Sequence, residues 1–282
     1  MQAKPFTQAA WLVHGFSTRP GGASRLESGH DGSQSVEKVL NLGLTDWDSR
    51  ERVAGNRRKF LSALGASRMR LVTLRQAHSD MIHVISRAPE NSPRGDAAIT
   101  AVEGLLLSVQ TADCVPILLA DMHCRVVAAV HSGWRGTLKR IAAKTVGRMQ
   151  LEFGTNPRDI VAALGPAIGR CSYEVGSEIA KEFASQFAEA RDWFDGPFDR
   201  LASDDDPNPL PWLSMAPPGH QPPSPRLKLD LFAANRAILL ESGVNPENIF
   251  ACGLCTACRT DLFFSYRREH HTGRMMAVIG LP

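Results

Sequence analysis

The stretch that most constrains this chain runs from Leu71 to Phe153. Five short apolar runs, Leu71–Leu74, Met81–Ile85, Leu105–Val109, Val115–Leu119 and Val126–Val130, read as strands, and Gly, Asp or Pro punctuates most of the gaps. A helix follows. Leu138, Ile141, Ala142, Val146, Met149 and Phe153 recur at helical spacing over Thr137–Phe153, and Gly154 supplies the stop. Three more helices are expected. Arg50–Leu64 carries Val53, Phe60, Leu61 and Leu64 on one face before Gly65. Gly176–Ala190 carries Ile179, Phe183 and Phe187, and Asp230–Ser242 ends at Gly243.

Such a mixture of strands and helices, in 282 residues, fits one large domain containing both. With 43% hydrophobic and 22% charged residues there is apolar material for a substantial core. The net charge of +3 is too small to demand a nucleic-acid or membrane partner, and it suits a small anionic substrate. Met1–Gly15 has no apolar core or small-residue cleavage site of a secretory signal. No apolar run approaches the roughly 20 residues of a membrane span. Six cysteines in such a chain read as reduced thiols or metal ligands, and the cytoplasm is the expected compartment. The sequence leaves monomer and homodimer equally open. Gly196–Pro225, with Asp204-Asp205-Asp206 and many prolines, reads as a long surface insertion that interrupts the single domain expected over 1–282.

The chemistry concentrates in three pieces, each at the end of an apolar run: Arg75-Gln76-Ala77-His78-Ser79-Asp80, Thr111-Ala112-Asp113-Cys114 and His131-Ser132-Gly133-Trp134-Arg135-Gly136-Thr137. His78, Cys114 and His131 form a set that zinc accepts, two imidazoles and a thiolate with a fourth position open. Their wide spacing matches no local metal signature, so two strand-end histidines and a small core cysteine are the competing reading. Asp113 either transfers protons or supports the neighbouring Cys114, the second being preferred. The loop Ser132–Gly136 entering a helix offers backbone N–H groups to an anion, and Arg135 and Arg75 can add bidentate contacts. The competing reading is that Gly133 and Gly136 only permit a tight strand-to-helix turn and that the arginines pair with surface carboxylates. Tyr173 and Tyr266 are candidates for stacking on a base.

Further segments join these pieces: His14-Gly15-Phe16-Ser17-Thr18-Arg19-Pro20-Gly21-Gly22, Asn41-Leu42-Gly43, Gly95-Asp96-Ala97, Gly165-Pro166-Ala167-Ile168-Gly169, Cys171-Ser172-Tyr173-Glu174-Val175 and Phe264-Ser265-Tyr266-Arg267-Arg268. Taken in order from about residue 14 to 281, they resemble the purine nucleoside phosphorylase family formerly labelled polyphenol oxidase or laccase-domain proteins. The proline-rich insertion fits that pattern least. The resemblance implies a four-layer α/β/β/α sandwich and a zinc ion on His78, Cys114 and His131. It implies phosphorolysis of adenosine, inosine and methylthioadenosine, with adenosine deamination at the same site. It also carries a claimed copper oxidase activity and, in bacterial relatives, a role in editing peptidoglycan precursors. On this basis Arg75 joins the three ligands as a catalytic residue, and Gln76, Ser132, Gly133, Arg135, Tyr173 and Arg267 are expected to contact substrate or phosphate.

The residues weigh these activities unequally. The H-x-E and P-C-x-x-C pieces of base deaminases are missing, so deamination would need a different scaffold. A multicopper oxidase draws on many histidines, and nine histidines without one H-x-H pair argue against it. Copper can still occupy a site built for zinc. A cysteine hydrolase with Cys114 as nucleophile and His131 as base is the second enzymatic class. A non-enzymatic alternative is a metal-stabilised module that binds a nucleotide-like cell-wall precursor. The run Cys252-Gly253-Leu254-Cys255-Thr256-Ala257-Cys258 reads as a structural turn, with a second metal site as the lesser alternative. Dinucleotide, P-loop and nucleophile-elbow motifs are all missing.

Overall fold

Alternation along the strand Met275–Gly280 divides the apolar interior of the larger part of the fold. Met276 and Val278 pack with Phe60 and Leu106, while Ala277 and Ile279 face the other way into a cluster with Leu107, Val109, Leu118 and Ala129. A strand buried on both faces must be apolar throughout, which is why these runs show no polar alternation. The computed structural model describes residues 1–28, 35–198 and 226–282, and its fold is of mixed α and β class. These residues form two compact units, Met1–Gly169 with Leu231–Pro282, and Arg170–Asp230.

In the first unit, numbering in chain order, a four-stranded sheet runs β1 (Val13–Phe16), β15 (Met275–Gly280), β7 (Leu105–Thr111), β4 (Arg70–Val72). A six-stranded sheet runs β14 (Ile249–Ala251), β10 (Ile160–Leu164), β8 (Val115–Asp121), β9 (Val126–Ser132), β6 (Ala97–Thr100), β5 (Ile82–Val84). One apolar cluster takes side chains from both sheets, with Val72, Leu107 and Ile279 from the first and Ala98, Leu118, Val127 and Ala163 from the second. Phe60 of helix α1 (Arg50–Ala63) joins the cluster on the opposite face of the four-stranded sheet. Strands β2 (Pro20–Ser28) and β3 (Ser35–Val39) pair antiparallel beside α1. The second unit holds a three-stranded sheet of β11 (Glu174–Val175), β13 (Leu227–Leu229) and β12 (Phe194–Asp195), with α4 (Ser177–Gln186). Its core is aromatic: Phe183 packs with Phe187, Trp193 and Phe194.

All five expected strands form, and glycines end the helices as expected: Gly65, Gly154 and Gly243 each take positive φ just past a helix. The segment Gly176–Ala190 is helical only to Gln186, and a 3-10 turn at Ala190–Trp193 follows. The expectation of one helix over Thr137–Phe153 fails. The chain forms α2 (Trp134–Leu138) and α3 (Ile141–Phe153), with Arg140 between them in the left-handed conformation. No glycine or proline marks the break. It follows instead from tertiary partners, because Arg140 pairs with Glu241 of α5 (Leu231–Glu241) while Thr137 is tied to Asn235 of the same helix. Of the insertion expected at Gly196–Pro225, residues 199–225, the Asp204–Asp206 run included, lie outside the described residues. No described helix is long and apolar enough to cross a membrane.

The node around Asn235 fixes the end of β9. Its side-chain oxygen accepts from the Ser132 hydroxyl at 2.7 Å, and its amide donates to Thr137 at 3.0 Å and to the Leu231 carbonyl at 2.8 Å, all fully buried. Asn235→Ala removes the buried acceptor of the Ser132 hydroxyl and a donor to Thr137. Urea unfolding is expected to register a loss of about 1–3 kcal/mol at unchanged m-value.

Candidate active site

Antiparallel pairing of β8 and β9 aligns Val115 with Ser132 and Pro116 with His131. Cys114, one residue before β8, therefore lies beside His131, the penultimate residue of β9. Pairing of β6 with β9 matches Ala97 with Val130 and puts Asp96 at the same sheet end, where its carbonyl accepts from the His131 N–H at 2.7 Å. His78 reaches this end from the loop between β4 and β5. The donor atoms of His78, Cys114 and His131 all lie within 4.8 Å of one another. The Cys114 Sγ to His78 Nε2 distance is 3.8 Å. Two tetrahedral zinc bonds of ordinary length, one to sulfur and one to nitrogen, separate their donors by roughly 3.5 Å. His131 is buried, Cys114 half-buried and His78 exposed, so the group opens toward solvent on one side.

Asp96 holds this arrangement. It is fully buried, and its carboxylate accepts from the backbone N–H groups of Ala77, His78 and Ser79, from the Ser79 hydroxyl, and from Nδ1 of His131 at 2.9 Å. One side chain thus anchors the loop that carries one imidazole and orients the other, leaving Nε2 of His131 to face a metal. The loop bends sharply enough to hold His78 at φ 52°, a left-handed conformation histidine tolerates better than most residues. Burial works against the Asp96 carboxylate, but the hydrogen bonds from His131 and Ser79 outweigh it and hold its pKa well below the usual carboxylate range.

The second support sits behind Cys114. Asp113 has φ 93°, and its carboxylate accepts from the Thr256 hydroxyl at 2.6 Å and from the Arg267 N–H at 2.6 Å. Its carbonyl accepts from the Ile168 N–H at 2.8 Å. These bonds offset the strain of a backbone that non-glycine residues rarely adopt. With both carboxylate oxygens bonded to distant parts of the chain, Asp113 ties down the turn into Cys114. Gly133 makes the cluster possible by lacking a side chain. A Cβ there would stand 2.7 Å from Cys114 Sγ and 3.3 Å from His78 Cδ2.

Desolvation disfavours the Cys114 thiolate, yet the His131 imidazolium beside it, with hydrogen bonds from both imidazoles, lowers the thiol pKa to about 6. Desolvation likewise opposes the His131 cation, and the Cys114 thiolate and Asp96 together raise it to about 9. Without a metal this pair therefore rests as thiolate and imidazolium, and a cation binding there would take up the thiolate and displace the His131 proton.

The remaining expected contacts divide. Arg75 and Arg135 are exposed, and Arg135 lies over the Trp134 ring at 4.3 Å. Two assignments meet competing partners. The Gln76 amide is engaged at both ends by the Gln110 backbone, at 2.8 and 2.7 Å, and ties β7 to the His78 loop. The Ser132 hydroxyl is buried against Thr137 and Asn235. Both side chains thus also serve the frame of the site. Arg267 contributes its backbone to Asp113, and Tyr266 is exposed. Tyr173 is buried within the second unit. The helix after Gly133 is the single turn α2, so the anion-attracting end expected of a long helix shrinks to the N–H groups of Trp134–Gly136. Asp96, which sequence reading caught only as part of a motif, is the functional residue most underrated there. A cavity of about 500 Å³ beside α1, lined by Phe16, Thr18, Lys59 and Phe60 among others, includes none of the three donors. Donor geometry, not cavity size, marks this site.

Fold and donors together define a mixed α/β protein with a two-histidine, one-cysteine centre at one end of a sheet. A family model described as multi-copper polyphenol oxidoreductase laccase matches residues 13–282, and the chain belongs to that family. It is 37% identical to a protein named purine nucleoside phosphorylase from Deinococcus radiodurans, over 96% of this chain and 90% of the relative. It is 33% identical to the purine nucleoside phosphorylase YlmD of Geobacillus stearothermophilus, over 96% of this chain and 94% of the relative. The crystal structure of the hypothetical protein YfiH from Bacillus licheniformis superposes with a TM-score of 0.78 at 29% identity, covering 98% of this chain and 94% of that one.

Two outcomes follow from this geometry. Asp96→Asn removes an anion that orients His131, and zinc affinity measured by chelator competition is expected to fall roughly 10- to 100-fold. In metal-free protein, Cys114 is a thiolate above about pH 6, so its iodoacetamide alkylation rises through that pH. An ordinary thiol titrates near 8.5. Zinc loading is expected to suppress the reaction at every pH tested.

Proposed function

We propose that this protein is a zinc-dependent purine nucleoside phosphorylase that converts adenosine, inosine or methylthioadenosine, with phosphate, to free base and the corresponding pentose 1-phosphate. The observation that carries the reading is the convergence of the His78, Cys114 and His131 donors within 4.8 Å at a solvent-facing sheet end. Exposed Arg135 stands two residues from Gly133, which packs against the donors. The names of the Deinococcus and Geobacillus relatives point the same way.

Phosphorolysis breaks the bond between the purine nitrogen and the anomeric carbon as a phosphate oxygen bonds to that carbon. The protein must hold an anion next to a sugar that turns cationic as the base leaves. The guanidinium groups of Arg135 and Arg75 can grip phosphate bidentately, and the N–H groups of Trp134–Gly136 add donors. Asp96 keeps His131 oriented, Asp113 keeps Cys114 placed, and Gly133 leaves room for both. His78, Cys114 and His131 would hold a zinc ion, which would supply Lewis acidity there. Two imidazoles and a thiolate suit zinc, and they also hold copper, as the family description and the affinity order of divalent ions allow. The open position would also serve adenosine deamination.

A second reading rests on one observation. The low Cys114 pKa beside the His131 cation is also the signature of a cysteine nucleophile. Elemental analysis separates the two. Stoichiometric zinc that disappears in Cys114→Ser supports the ligand role, whereas a metal-free active enzyme inactivated by alkylation supports the nucleophile.

The direct test incubates the purified protein with inosine and follows hypoxanthine. Release is expected to require phosphate, to stop on chelation and to return with zinc alone. His131→Ala is expected to abolish release with the fold retained, and Arg135→Ala to raise the phosphate KM about tenfold or more, the loss of one charged contact. Release without phosphate defeats the proposal. Failure to release base at all would favour a binding module for a nucleotide-like cell-wall precursor.

A further inference from the structure

The run Cys252–Cys258 contributes more than a turn. Cys255 is buried, and its sulfur accepts a hydrogen bond from the Gly169 N–H at 3.2 Å. The Cys255 carbonyl accepts from the Arg259 N–H at 3.1 Å, closing one helix-like turn that presents Cys258 to solvent. The two sulfurs lie within 4.8 Å of one another. Between them in sequence, Thr256 is fully buried and gives its hydroxyl to the Asp113 carboxylate at 2.6 Å, one residue from the Cys114 ligand.

We propose that Cys255 and Cys258 form a redox-active dithiol, oxidised by low-molecular-weight disulfides, whose closure loosens the metal site through Thr256 and Asp113. The exposed Cys258 thiolate attacks one sulfur of glutathione disulfide, forming a mixed disulfide and releasing one glutathione. The Cys255 thiolate then attacks the Cys258 sulfur, the Cys255–Cys258 bond forms, and the second glutathione leaves. Two protein thiols are oxidised, one disulfide is reduced, and the two protons pass to the released glutathiones. The N–H bond from Gly169 holds the Cys255 sulfur in place for the second step. A disulfide requires about 2 Å between sulfurs, so closure draws in the turn that carries Thr256 and disturbs its short bond to Asp113. The thiol pair stands independently of the phosphorylase reading, and only its effect on the metal site rests on that ligand set.

The test uses the full-length, zinc-loaded protein treated with glutathione disulfide. Mass spectrometry of the tryptic peptide Ala237–Arg259 is expected to register the loss of two hydrogens. In Cys258→Ser this loss disappears, in Cys255→Ser a glutathione adduct remains on Cys258, and in Cys252→Ser the bond still forms. Chelator competition is expected to register a zinc affinity lower by on the order of tenfold after oxidation, restored by dithiothreitol. In Thr256→Val the disulfide closes without any further fall. Persistent glutathione adducts in the unaltered protein, or a bond involving Cys252, overturn the dithiol. Closure with unchanged zinc affinity overturns the coupling. A protein that never binds zinc defeats the metal reading alone, since the peptide mass still decides the thiol pair.

Discussion

A single buried carboxylate holds the candidate site together. Asp96 sits where β6 begins, so its backbone is fixed by pairing with β9, and its side chain gathers three successive amides and a hydroxyl of the His78 loop. The same oxygens accept from His131. An isolated buried carboxylate would be costly, and this one is tolerated because every hydrogen bond around it favours the ionised form. The two imidazoles are thereby placed relative to each other before any metal arrives. Such prior placement limits the ordering that binding would otherwise require.

The rest of the site uses the same economy of rigid ends. The antiparallel pair β8 and β9 brings the start of one strand to the end of the other, which sets Cys114 beside His131. Gly133 follows immediately, and the space that a side chain would fill is taken by the sulfur and an imidazole edge. Asp113 accepts bonds from Thr256 and Arg267, so distant parts of the chain brace one turn. That brace includes Thr256, which directly follows Cys255, so the Cys255–Cys258 turn is joined by one hydrogen bond to the residue before Cys114.

The apolar runs from Leu71 to Val130 were legible as strands because burial on both faces demands unbroken hydrophobicity. The three donors were legible as residue types that one metal accepts. Other features left no local trace. The side chains of Gln76 and Ser132, expected to meet substrate, also bond Gln110, Thr137 and Asn235. Thr137–Phe153 looked like one helix because local spacing is unbroken, while partners on α5 turn the chain at Arg140. Local pattern reports propensity, and it carries no record of which distant group will satisfy a given donor or acceptor.

By itself, the sequence determined the class of the fold, the glycine stops of its helices and the identity of the side chains able to grip a cation. Those properties depend on short-range periodicity and on functional-group chemistry, both written locally. Only the tertiary structure decided that those side chains converge, that Asp96 unites them and that Thr256 bonds Asp113. Convergence depends on strand register and on buried hydrogen bonds between residues far apart in the chain, and these exist only once the sheets have packed.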